Sequence, residues 1–188
     1  MIKLIVGLGN PGQSYEKTRH NAGFLFMDEL ISEAGASWSM QSKFDGLFAE
    51  ILISGAKVLL LKPTTFMNRS GQSVGKVAKY YKISPKEILV VHDELDFNPG
   101  MIKLKKGGGH AGHNGLRDII SHLDSNDFYR FRIGIGRPPA GKLVADFVLS
   151  VPSKVEYSEI DRALSLGLSF VPQMVSDELS ILMNKINV

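Results

Sequence analysis

His20, Asp93, Asn10, Asn68 and Asn114 are residue types that together can carry out an acyl-transfer reaction, and each stands in or beside a polar stretch that follows an apolar run. An imidazole held by a carboxylate is kept in the tautomer that accepts a proton. With no serine in the set, the proton to be accepted is that of water. Asparagine amides add uncharged donors of the kind that stabilise a developing oxyanion. Each of these residues also has a plain structural reading. A single histidine is commonly structural, Asn68 suits the turn of a loop, and Asn114 suits the cap of the helix it heads.

Two shorter patterns compete with this set. Gly7-Leu8-Gly9-Asn10-Pro11-Gly12 follows a strand and has the glycine spacing of a dinucleotide-binding turn. That turn works through backbone N–H groups at a helix start, and Pro11 removes one of them. Gly71-Gln72-Ser73-Val74-Gly75 has the spacing of a nucleophile elbow, and Ser73, Asp93 and His113 stand in the chain order of an α/β-hydrolase triad. An elbow must be a tight strand-to-helix turn. Here about ten residues separate the preceding strand from Ser73, and Ser70 is the better helix cap. A serine esterase built on Ser73 is the alternative to the water-activating set. His110 and His113 form a possible metal pair, but no adjacent carboxylate completes a familiar ligand spacing.

These residues need a frame. Residues 2–7 read as a buried strand, followed by a polar loop over 8–19. Met27, Leu30, Ile31 and Ala34 fall at helical spacing and predict a helix over about 21–35. Residues 47–53 and 57–61 read as strands joined by a short turn at Ser54-Gly55-Ala56. A loop over 63–71 leads to a second helical stripe through Val74, Val77, Ala78 and Tyr81. Ser84-Pro85-Lys86-Glu87 has the cap, proline and acid of a helix start, with room for one turn. The strongly apolar run 88–92 predicts a central strand with Asp93 after it, and 101–106 predicts another. A glycine-histidine loop over 107–115 precedes a third helix through Leu116, Ile119, Ile120 and Leu123. Residues 130–136 and 146–149 are further strand candidates. Ile160, Ala163, Leu164, Leu168 and Val171 predict a C-terminal helix, with a last short one over 179–186.

Strands alternating with helices predict an α/β domain: a mixed, mostly parallel twisted sheet with helices on both faces. With 188 residues and no linker or repeat, one domain over 1–188 is expected. There is no cysteine, so disulfide and thiolate chemistry are excluded and a reducing compartment, the cytoplasm, is the expectation. No apolar run approaches the roughly 18 residues of a membrane span, and the first residues lack the pattern of a signal peptide. The net charge of +3 matters only where it is clustered. Lys103 and Lys105 share one face of a predicted strand, as do Arg130 and Arg132, while Lys106 and Arg117 flank the glycine-histidine loop. Such clusters are most often solvated surface.

The stretches that carry the candidate residues resemble motifs of the bacterial-type peptidyl-tRNA hydrolases. They are Leu8-Gly9-Asn10-Pro11-Gly12 with Tyr15-Glu16-Lys17-Thr18-Arg19-His20-Asn21-Ala22-Gly23; residues 63–71; His92-Asp93-Glu94-Leu95-Asp96; and Gly107-Gly108-Gly109-His110-Ala111-Gly112-His113-Asn114-Gly115-Leu116. Arg132-Ile133-Gly134-Ile135-Gly136 and Phe147-Val148-Leu149 continue the likeness over nearly the whole chain. Ala111 departs from it, since glycine is common there; its methyl is tolerated unless the residue needs a positive φ. Arg137-Pro138-Pro139 departs too, where a histidine often precedes a single proline.

The resemblance implies hydrolysis of the ester that joins a peptide to the 3′ ribose of tRNA. It makes His20 the general base and Asp93 its orienter. Asn10 and Asn68 would hold the substrate near the ester, either of them able to serve the oxyanion, and Asn114 would bind the attacking water or the terminal nucleotide. His113 and Met67 would line the cleft, with Tyr15 beside His20. Lys105 and Arg132, with Lys103 nearby, would contact tRNA phosphate. No metal or cofactor, no membrane and no obligate protein partner is implied, and a monomer is the default.

Overall fold

The computed structural model describes residues 1–187. Seven strands form one sheet: β1 Leu4–Gly7, β2 Ser39–Gln41, β3 Gly46–Ile53, β4 Ala56–Pro63, β5 Ile88–Glu94, β6 Ile102–Lys106 and β7 Tyr129–Gly134, in the spatial order β2-β3-β4-β1-β5-β7-β6. The four middle strands β4, β1, β5 and β7 run parallel, and β2, β3 and β6 are antiparallel additions at the two edges. The helices are α1 Ala22–Glu33, α2 Ser70–Tyr81, α3 Asn114–Leu123, α4 Val144–Val148, α5 Lys154–Ser169, α6 Val171–Met174 and α7 Leu179–Ile186. The mixed α/β sheet expected from the alternation of patterns is therefore the sheet observed.

Side chains of successive strand residues point to opposite faces, so β4, β1 and β5 each feed two cores, while β7 supplies one. Ile5, Leu60, Val91 and Phe131 face α1, α5, α6 and α7. Leu4, Val6, Leu61 and Val90 face α2 and α3. This two-sided burial is why β1 and β5 read as unbroken apolar runs. The β3–β4 turn places Ser54 and Gly55 at φ 51 and 81, the pair of positive values that matches the twist of a hairpin. Ser84 and Glu87 form the anticipated capping box over the single turn Pro85–Glu87.

Two expectations need correction. Residues 146–149 do not form a strand: Val144–Val148 is a short helix. Both edges of β7 are already paired, to β5 and β6, so no place beside it is left for a strand. A four-residue apolar run cannot by itself distinguish helix from strand. Ser39–Gln41 is an edge strand that the sequence did not announce, because it is polar and largely exposed and has no alternation to read.

One close approach positions the site. Gly23, in the first turn of α1, packs so tightly on the ends of β1 and β5 that a Cβ there would lie 2.4 Å from the Val91 carbonyl oxygen. That contact brings the turn Arg19–Asn21, just before α1, against the C-terminal end of β5, which carries Asp93.

Candidate active site

Asp93 is the penultimate residue of β5, inside the strand rather than after it, and is almost fully buried. Its two carboxylate oxygens lie 2.9 and 3.0 Å from Nδ1 of His20, a contact between residues 73 apart in sequence. An ionised carboxylate only accepts, so Nδ1 of His20 carries the hydrogen and Nε2, on the far edge of the ring, holds the free lone pair. Burial by itself would lower the His20 pKa; the charge and hydrogen bond of Asp93 more than offset it, and the net shift is upward. Burial would likewise raise Asp93, but His20 and His113, by charge and hydrogen bonding, hold its carboxyl well below the usual range.

His113 occupies the same carboxylate. Its Nε2 stands 3.0 Å from Asp93 Oδ1, while its Nδ1 accepts the Leu116 N–H at 3.3 Å and so caps α3. This cap was expected of Asn114, which is instead the first helical residue and is exposed. His113 is thus a second donor to Asp93 as well as a wall of the cleft. Ligand-type atoms of His20, Asp93 and His113 lie within 4.8 Å of one another, and each is spent on these hydrogen bonds; His110 lies outside that group and accepts from the Gly112 N–H. Beneath them, burial and then the neighbouring His113 push the His92 ring down to about 3. That neutral ring donates from Nδ1 to the Asp93 carbonyl at 2.7 Å.

Asn10 is 7% exposed, and its side chain is oriented by the chain itself. Its Oδ1 accepts the Met67 N–H at 2.7 Å, which ties the first loop to the second. Asn21 clamps its backbone from the other side, accepting the Asn10 N–H at 2.8 Å and donating to the Asn10 carbonyl at 3.0 Å. With Oδ1 engaged, Nδ2 is the free, donating end of the amide. Met67, expected to line the cleft, is instead buried outside its lining, with its sulfur against Gly115, one residue beyond Asn114; Asn68 beside it is exposed. Tyr15 is half-buried, and the ring it meets is Phe66, edge-on at 6.3 Å.

His20 and Asp93 open into a cleft of about 660 Å³. Asn114 and His113 line it at the same end, and Lys105, Arg130, Arg132 and Arg137 line it too. The register of β6 on β7 sets Lys105 opposite Arg130 and Lys103 opposite Arg132. Arg130 is buried and committed, donating to the carbonyls of Gly109 and Gly108 at 2.6 and 2.5 Å. Arg132 is half-buried over the Phe97 ring and 3.8 Å from Glu94. Lys103 is not a cleft residue; its Nζ donates to the Asn187 carbonyl at 3.1 Å, and the Asn187 amide pairs with the Leu104 backbone at the free edge of β6.

Several contributors escaped the sequence reading. Asn21 sits next to His20 but gave no signal beyond adjacency. Arg19 is buried, donates to Ser150 and Val151, pairs with Glu156 at 2.9 Å and stacks on Phe147. It therefore ties the His20 turn to the α4–α5 connection. The alternation that put Arg130 and Arg132 on one face was legible, but not that only one of them is spent on the glycine loop. Ala111 does need a positive φ, at 47, so its methyl is carried in the left-handed region at a cost of about 1–2 kcal/mol.

The two competing patterns fail on geometry. Ser73 is wholly buried within α2, its hydroxyl has no hydrogen-bond partner among the described residues, and it lies against the backbone of Gly46 in β3. Asp93 bonds to both His20 and His113, and neither Asp93 nor His113 bonds to Ser73. Gly7 and Gly9 pack against Met27 and Phe24 of α1, so these glycines admit a helix rather than a pyrophosphate. Among the described residues no helix is long and apolar enough to cross a membrane.

Comparison with known proteins agrees over the full length. Residues 4–188 match the family model described as "Peptidyl-tRNA hydrolase". A protein of that name from Dichelobacter nodosus is 51% identical over 94% of both chains. One from Methylococcus capsulatus is 48% identical over 100% of both. The crystal structure of peptidyl-tRNA hydrolase from Acinetobacter baumannii is 49% identical, covers 100% of this chain and 95% of its own, and superimposes with a TM-score of 0.95.

Proposed function

The chain belongs to the peptidyl-tRNA hydrolase family, and from that premise we propose how its side chains divide the work. It hydrolyses the ester between peptide and tRNA in peptidyl-tRNA, releasing free tRNA and peptide. The observation that carries the mechanism is the His20–Asp93 pair: both carboxylate oxygens hold Nδ1, which leaves Nε2 as the basic edge of a ring that lines the cleft. Nε2 takes a proton from water as the water oxygen attacks the ester carbonyl. The negative charge that develops on the carbonyl oxygen is met by asparagine amides, with Nδ2 of Asn10 the one whose orientation is enforced and Asn68 its exposed neighbour. The tetrahedral intermediate collapses, the C–O bond to the ribose breaks, and the ribose oxygen recovers the proton from the imidazolium. Asp93 stays ionised throughout and stabilises that imidazolium.

Asn114, exposed beside His113, holds the attacking water or the terminal nucleotide, and Met67 and Tyr15 brace the loops that carry the asparagines. Lys105 and Arg132 hold phosphate at the acceptor end, while Lys103 acts only through the C-terminal end of the fold. The whole of 1–188 works as one domain, as a monomer in the cytoplasm, where its substrate is made, and without an obligate protein partner.

The test offers N-acetylated aminoacyl-tRNA, free aminoacyl-tRNA and a small nitrophenyl ester side by side to wild-type enzyme and to Ser73→Ala. Turnover of the N-blocked tRNA ester by both enzymes, without labelling by a serine-directed fluorophosphonate, is expected. Preference for the nitrophenyl ester, with activity lost in Ser73→Ala and Ser73 labelled stoichiometrically, would replace the water mechanism with a serine one.

A further inference from the structure

Arg137 lies just beyond β7, where the chain has Arg137-Pro138-Pro139, and its guanidinium pairs with the carboxylate of Asp96, just beyond β5. Both residues line the cleft that holds His20 and Asp93, so the pair links two of its walls. The side chains are 71% and 52% exposed. An ion pair in that much solvent is weak, because water screens it and two flexible side chains must be ordered to form it. It is therefore easily exchanged for a better anion.

The other cations of the cleft show what exchange would add. Arg130 is immobilised by two carbonyls. Arg132 is fixed over Phe97, with Glu94 3.8 Å away and a buried Nε that has no partner among the described residues. Lys105 has no bonded partner among the described residues. An RNA phosphate entering beside Lys105 and Arg132 brings a full negative charge with free oxygens, which a guanidinium can engage by two parallel N–H bonds. A carboxylate in solvent is the weaker competitor.

We propose that Arg137 is an additional phosphate-binding residue, held in reserve by Asp96 and released to a backbone phosphate of the tRNA substrate when it enters the cleft. The inference rests on the reading that Lys105 and Arg132 face the RNA, and deepens it. Asp96 then has the role of a resident anion that keeps Arg137 at the mouth and is displaced by substrate. The device belongs to this chain's own residues: it needs a long, permanently charged, forked side chain at position 137, which a neutral imidazole would not supply.

The experiment measures KM and kcat for N-acetylated aminoacyl-tRNA over a range of salt concentrations. It compares wild type, Arg137→Ala, Asp96→Asn, the double variant Asp96→Asn with Arg137→Ala, and Lys105→Ala with Arg132→Ala. Arg137→Ala is expected to raise KM several-fold, to move kcat less, and to flatten the log–log salt dependence by about 0.7–0.9, the slope of one lost phosphate contact. Asp96→Asn is expected to lower KM, and that gain should vanish when Arg137 is also removed. A gain from Asp96→Asn that persists without Arg137 would be a general effect of removing negative charge and would overturn the reserve. An unchanged KM and slope in Arg137→Ala would overturn the phosphate contact itself. If Lys105→Ala with Arg132→Ala raises KM while Arg137→Ala does not, this inference falls alone; if neither does, the basic-face reading falls with it.

Discussion

Around His20, the Asp93 and His113 side chains that line the cleft and the Asn10 loop outside its lining are held by hydrogen bonds of 2.7–3.3 Å in a largely buried network. At the other end of the cleft, Lys105 has no bonded partner among the described residues, Arg132 stands 3.8 Å from its nearest carboxylate, and Arg137 is largely in solvent. Under the proposed function the contrast follows from what each end must do. A general base has to present one nitrogen in one tautomer within a few tenths of an ångström, so its partners over-determine it. A phosphate can be held through any of several oxygens by a long cation, and order supplied in advance would only add a desolvation cost. Rigid chemistry and loosely held charge therefore coexist in one cavity.

The strongest way to break this comparison is at the rigid end. His20→Ala should lower kcat by at least ~10²-fold with the far-ultraviolet circular dichroism unchanged, since a lost general base has that scale. Near-normal turnover in the folded variant would remove His20 from the chemistry. The pH profile sharpens the same point. Only neutral imidazole accepts a proton, and Asp93 raises the His20 pKa above its ordinary 6.5. The acid limb of kcat/KM should therefore have its midpoint above 6.5, with activity lost as pH falls through it. Asp93→Asn removes the attraction that outweighs burial, so its limb should move to lower pH while kcat drops sharply. A limb that stays in place would mean that the carboxylate does not act on the base.

A smaller effect is expected at the loose end. Lys105→Ala with Arg132→Ala should raise KM for tRNA substrates, flatten their salt dependence and change kcat less. On an N-blocked aminoacyl ester of a short CCA oligonucleotide the penalty should shrink, because the phosphate these side chains are proposed to hold is missing. An equal loss on both substrates would place the two residues at the reaction centre and erase the division between the ends.

The smallest effect concerns the glycine loop that joins the two regions. Ala111 holds φ 47 between His110 and Gly112. Ala111→Gly relieves the left-handed penalty but gives the unfolded chain more freedom, so the net gain in stability should be within about 1 kcal/mol. Urea unfolding measures it; a clear destabilisation would show that the methyl packs usefully despite its backbone.

Much of this organisation was legible in the chain. The apolar runs of β1 and β5, the helical stripes of α1, α2 and α3, and the Ser84–Glu87 turn are patterns carried by neighbouring residues, and they appear where their periodicity puts them. The motifs around His20, Asp93, Asn10, Asn68 and Asn114 named the chemistry and the family. What failed depended on context. Val144–Val148 had too few residues to declare a period, Ser39–Gln41 had no apolar face, and Lys103 looked equivalent to Lys105 because Asn187, which engages it, is 84 positions away.

The sequence by itself determined which side chains were available, the order of most of the strands and helices, and the hydrolytic family to which they belong, because these follow from residue type and short-range spacing. Only the tertiary structure decided which nitrogen of His20 is basic, that His113 shares Asp93 while capping α3, that Asn21 orients Asn10, and which of the basic residues is left for an anion. Each of those outcomes is a hydrogen bond or ion pair whose partner arrives from another part of the chain. A donor has no preference among acceptors until folding brings one within reach and removes the water that would otherwise compete.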